Sequence, residues 1–250
     1  MKKLWRVTEP DVIAEFLKNE FYRDEFHRDR ERFKRVVMHA DIEDETENTL
    51  RRALLFRRRG HMWRELPADT QWWEVSIEPG DLELLRVFPR AQWRRVSSGS
   101  FLLENIVERI RNKKFSGRTR EFISKVQAFS YRLRTDQAPR SCVLLIGIDE
   151  HLPFTILEGN HRFTAALLAD GNLLQDRFRV LCGFSARMPE ACWYETNLAN
   201  LWRYAKNRMR NLVYDKDADI ERALKDTRKD VAADRIDNTL SSRKVAPGSK

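Results

Sequence analysis

The chain lacks the features that mark several protein classes. No stretch approaches the ~18 uninterrupted apolar residues of a membrane span. Three cysteines, an odd number in a chain this long, do not make a disulfide framework. They read as reduced thiols, and with no CxxC pair or zinc-spaced His/Cys cluster they predict no metal–thiolate site. Nine glycines and eight prolines are too few for a collagen-like or low-complexity chain. The opening MKKLWRVTEPD carries two lysines but no apolar h-region, so a cytoplasmic protein is expected. No internal repeat is present.

What the chain has is charge and bulk. Its 250 residues include 47 Lys and Arg against 38 Asp and Glu, a net charge of +9. That excess suits a nucleic acid, an anionic membrane or phosphorylated small molecules, and separates none of them. Seven tryptophans and 14 phenylalanines supply enough apolar volume for a core, which excludes wholesale disorder.

Residues 1–73 read as a helical N-terminal region. Thr8 is placed to cap a helix with Pro10 and Asp11 in its first turn, and Val12, Ile13, Phe16 and Leu17 recur at helical spacing. The acidic run from Asp41 to Glu47 reads as a solvated helix start. The following segment, 51–64, has six arginines and no acid among Leu54, Leu55 and Phe56. It offers phosphate contacts, or a buried helix whose arginines pair with the preceding acids. Residues 74–188 alternate strands and helices. WWEVSIEP and LELLRVFP read as strands, FLLENIVERIR and TREFISKVQAFSYRLR as amphipathic helices. SCVLLIGI and LPFTILEG read as a hairpin about the turn Asp149–His151, and FRVLCGF as a buried strand. Residues 189–214 form a helical extension whose aromatics and cations resemble a single-strand nucleic-acid surface or, more simply, a core face and a solvated face. Residues 215–250 read as a charged, partly disordered tail. The fold class is α+β, a small mixed sheet flanked by helical regions.

One segment carries chemistry: Glu158-Gly159-Asn160-His161-Arg162, where an apolar strand ends and a helix begins. Gly159 permits a positive φ or a close backbone approach. The free N–H groups of the new helix form an anion site, to which His161 and Arg162 add donors. Two cations in a first turn oppose the helix dipole by about 0.3–1 kcal/mol each, which an anion between them would offset. The competing arrangement is an ordinary turn in which Arg162 pairs with Glu158.

These residues, in the order hairpin, Glu-Gly-Asn-His-Arg, alanine-rich helix and apolar strand, resemble the ParB/sulfiredoxin-like superfamily. The resemblance spans about residues 74–185, and Gly159, His161 and Arg162 match its Gly-x-His-Arg signature position by position. It implies a nucleotide-binding protein with phosphates held by Gly159, Asn160, His161 and Arg162. A basic loop with Arg90, Arg94 and Arg95 would lie ahead of the signature. It further implies ATP or another nucleotide with magnesium, and phosphoryl transfer to a small hydroxyl-bearing acceptor, as in the free serine kinases. Glu158, His161 and Glu104 are the candidate catalytic groups, since such a transfer needs a carboxylate to orient or deprotonate the acceptor. No cysteine stands beside the His-Arg pair, so sulfiredoxin chemistry is not expected, and no helix-turn-helix follows, as a partition protein would need. A nucleotide-gated or nucleic-acid-binding module without phosphotransfer is the alternative.

A lesser alternative is AMP transfer of the Fic type, echoed by His151, Phe154, Glu158, Gly159, Asn160 and Arg162. The spacings are too long for it, and LPFTIL is strand-like where that chemistry needs one compact loop.

Overall fold

A computed structural model describes residues 1–89, 91–135, 137, 140–213 and 215–225. Arg90 and residues 226–250, most of the expected tail, lie outside the described residues. The fold is α+β, built on a six-stranded mixed sheet. The strands are β1 (Lys2–Val7), β2 (Gln71–Ser76), β3 (Leu85–Val87), β4 (Ser141–Gly147), β5 (Phe154–Glu158) and β6 (Phe178–Phe184). Their spatial order is β1-β2-β6-β4-β5-β3. The β4–β6 and β3–β5 pairs are parallel, and the others antiparallel.

Both faces of the sheet are covered, because its central strands are apolar on alternate residues facing both ways. On one face Val143, Leu145, Phe154 and Ile156 meet α4 (Ala91–Ser97), α5 (Leu103–Asn112), α6 (Gly117–Arg134) and α7 (Asn160–Ala169). On the other, Cys142, Leu144, Ile146 and Leu157 meet α1 (Glu9–Glu20), α2 (Arg30–Met38) and α3 (Glu45–Trp63). A short α8 (Leu173–Arg177) leads into β6, and α9 (Leu198–Val213) follows it.

Several sequence expectations change in detail. Residues 2–7 form an edge strand rather than part of a helical region, and the 73/74 boundary falls inside β2. LELLRVFP opens inside a 3-10 turn (Pro79–Leu84), and only Leu85–Val87 of it form a strand. Arg94 and Arg95 sit on the helix α4, not in a loop, because Trp93 and Val96 are buried beneath it. Residues 215–225 are packed, not a loose tail: Ile220 enters the core and Asp215 and Asp217 pair with Arg64.

The arginine-rich helix α3 takes its partners from distant segments. Arg52 pairs with Glu9, Arg57 with Asp29, and Arg59 with Glu20 and Glu25. Arg51 is fully buried, bonded to Glu47, Asn48 and the Val36 and Asp41 carbonyls. Arg51 draws on the preceding acidic run, as does Arg35 of α2 through Glu47, and Asp44 of that run caps the helix.

Candidate functional site

The site lies where β5 hands over to α7. The β4–β5 register passes from Leu145↔Ile156 to Leu144↔Glu158, so Leu157 is an extra residue in β5. Such a bulge re-aims the side chain that follows it. Glu158 accordingly reaches the α1 side of the sheet, although α7 packs on the opposite side. Gly159 then reverses the chain with φ 104° and ψ 13°. A Cβ there would meet Val143 Cγ2 at 2.7 Å, so the left-handed turn and the close approach to β4 both require glycine.

Gly159 caps α7 without a side-chain hydrogen bond, and its carbonyl accepts the first helical bond from the Phe163 amide at 2.9 Å. The amides of residues 160–162 therefore have no acceptor within the helix, and the positive end of the helix dipole lies at this turn. Ala165 and Ala166 are fully buried, which lets α7 lie close on the sheet.

The side chains divide into two sets. Asn160 is buried and committed to the fold: its Oδ1 accepts from the Phe88 amide at 2.9 Å and its Nδ2 donates to the Ile156 carbonyl at 3.2 Å. Arg162 donates from Nη2 to Glu158 Oε1 at 3.0 Å and from Nη1 to Asn19 Oδ1 at 2.6 Å. Asn19 in turn donates to the Cys142 carbonyl. Through its bond to Asn19, Arg162 thus fastens α7 to α1 around the end of the sheet.

His161 belongs to the second set. It is exposed, with its ring 5.3 Å from Trp93 on α4 and 4.9 Å from Phe122 on α6. These rings fix the imidazole at the α7 terminus and set α4 beside it. Arg94 and Arg95 follow Trp93 on α4 and are exposed, with Arg94 Nε donating to the Pro89 carbonyl.

Two sequence candidates lie elsewhere. Glu104 is exposed in the first turn of α5 and shares a surface depression with Glu108, Arg111, Leu167 and Gly171, at the far end of α7. His151 precedes β5 while Glu158 ends it, which separates them by the strand's length, roughly 15 Å. In that turn Asp149 caps the His151 and Leu152 amides and Glu150 pairs with Lys3.

Glu20 and Arg23 join the site without having been singled out in the sequence. Glu20 is buried at the end of α1, paired with Arg23 and Arg59, while Arg23 approaches Glu158 at 4.0 Å. Burial raises the Glu20 carboxyl above the usual carboxylate range, the Glu158 charge raises it further, and Arg23 and Arg59 oppose both. A signal did exist. An acid in the last turn of α1 and a base in the first turn of α7 each oppose their helix dipole.

Among the described residues no three His, Cys, Asp or Glu side chains are grouped to hold a metal. The one carboxylate at the turn, Glu158, is engaged by Arg162. These donors do not fit a magnesium ion held by the protein alone; such ions are often bound largely through substrate phosphates. All three cysteines are buried, and burial raises their thiols above the ordinary range, which suits inert packing.

No protein-family model, curated protein or solved structure matches the chain.

Proposed function

We propose that the protein binds a nucleotide through its phosphates at the N terminus of α7 and transfers a phosphoryl group to a small hydroxyl-bearing acceptor. One observation carries the reading. A glycine in a left-handed turn opens α7 with no side-chain cap, and the exposed His161 in the helix's first turn packs its ring against Trp93 and Phe122. Backbone amides, a helix dipole and an imidazole in the same first turn are groups that can bind a phosphate. Arg94 and Arg95 supply further positive charge from α4. Asn160 and Arg162 serve this cradle indirectly, by fixing β3 and α1 against the first turn of α7.

Magnesium enters with the nucleotide as part of the substrate. In the transfer, the acceptor oxygen forms a bond to the γ-phosphorus, the bridging O–P bond breaks, and the diphosphate leaves. The acceptor proton passes to solvent water, since Glu158 lies on the α1 side of the sheet in its pair with Arg162. The protein's contribution is positioning and charge neutralisation.

A melting-temperature screen against ATP, ADP, CTP and GTP with magnesium tests the binding step. A ligand that binds only the folded state raises the midpoint by mass action. One nucleotide is expected to do so, and His161→Ala and Arg94→Ala are expected to weaken the rise, each measured against its own ligand-free midpoint. If none of the four shifts the midpoint, the reading is wrong.

A further inference from the structure

Helix α9 sits the wrong way round for a surface helix. Leu198, Trp202, Ala205, Met209 and Leu212 recur at alternating steps of four and three, which aligns them in one stripe. A surface helix ordinarily turns such a stripe to the core. Here the stripe faces out: Leu198 is 86% exposed, Trp202 76%, Met209 60% and Leu212 65%. Leu201 and Val213, also exposed, widen it to an arc of about 120°.

The inward face is polar and aromatic, and it is what holds the helix. Asn200 is buried and donates to the Pro189 and Glu195 carbonyls at 2.8 Å. Asn207 donates to Glu65 at 2.6 Å, and Tyr204 packs 5.0 Å from Trp193. The outward stripe is therefore no by-product of a helix left loose.

Charge indicates what covers the stripe. The sixteen residues of α9 contain Arg203, Lys206, Arg208 and Arg210 and no acid. Lys206 and Arg208 lie about 80° to either side of the stripe's centre, bordering it with positive charge. We propose that α9 lies in the plane of an anionic phospholipid bilayer surface, with the stripe among the acyl chains and Lys206 and Arg208 at the headgroups. Apolar residues including a tryptophan, bordered by cations on a helix too short to span, are the pattern of an interfacial helix. No helix among the described residues is long and apolar enough to cross a membrane.

Other occupants fit less well. A second copy would bring two acid-free helices together with like charges along their borders. A partner helix covers a narrow seam, whereas this arc is wider. RNA would find a single aromatic ring, and Leu198, Met209 and Leu212 give phosphates nothing to bond.

Flotation of the full chain with vesicles tests this. Vesicles of phosphatidylcholine containing phosphatidylserine are expected to carry the protein up, with about tenfold less bound to phosphatidylcholine alone and binding that falls as salt is raised. The double variant Trp202→Ser/Met209→Ser is expected to remain at the bottom while melting at the unmodified temperature, since both side chains are exposed. Any of four results would overturn the proposal. These are no flotation with the anionic vesicles, flotation that the double variant retains, a lipid-independent dimer that Trp202→Ser dissociates, and RNA binding lost in Trp202→Ser without vesicle binding.

Discussion

The Phe88 amide donates to Asn160 Oδ1 at 2.9 Å, joining residues 72 positions apart at the head of the candidate site. Through it the segment leaving β3 is tied to the first residue of α7, and the same side chain returns a hydrogen bond to the Ile156 carbonyl. Asn160→Ala removes both partners from a buried place. The expected loss is about 1–3 kcal/mol, read as a lower urea midpoint. A variant as stable as the unmodified chain would show that the link does not hold the turn.

At Gly159 two demands coincide, the positive φ and the closeness of Val143. Gly159→Ala is expected to cost about 1–3 kcal/mol. The two causes separate in the double variant with Val143→Ala. Trimming Val143 relieves the contact but leaves the backbone strain, so the double variant should regain only part of what Gly159→Ala loses once the cost of Val143→Ala alone is subtracted. Full additivity of the two single changes would mean that no contact is relieved.

How far these features were legible in the sequence depends on whether they are local. The strand, the glycine turn and the helix at 154–169 declare themselves through residue order, and the buried Ala165 and Ala166 through their size. The partners of Arg162 are different. Glu158 is four residues away and could be named, but Asn19 is 143 residues away and reaches Arg162 only because α1 ends beside β5. The edge strand β1 is concealed because KKLWRV carries three charges and lies mostly exposed. In α9 the aromatics and cations were legible but not which of them face the core, since spacing is the same whether a helix face meets core or solvent.

Glu20 should give stability a pH dependence of unusual sign for a carboxylate. Its folded-state proton affinity is raised, chiefly by burial and next by Glu158. The folded chain therefore holds this proton more tightly than the unfolded chain. The resulting stability is fully present below the ordinary value of 4.5 and is lost as pH rises through the raised folded value. Glu20→Gln cannot titrate. The melting temperature of the unmodified chain minus that of Glu20→Gln is expected to fall as pH climbs above 4.5. A difference that stays level, or grows, would contradict the assignment.

Arg51 tests the reading of the arginine-rich helix as architecture. Its guanidinium is fully buried and divides its donors among Glu47, Asn48 and two backbone carbonyls, which closes the segment between α2 and α3 onto α3. Arg51→Ala would leave Glu47 with Arg35 and the Asp41 amide but strip it of its buried partner, and the loss of such a partner costs up to about 3–5 kcal/mol. Arg51→Lys keeps the charge but not the planar fork, so it should recover only part of that loss. Guanidinium unfolding of both variants gives the comparison. If Arg51→Lys matched the unmodified chain, charge alone would explain the burial. If Arg51→Ala did, the residue would be spare in the fold and open to a role with phosphate.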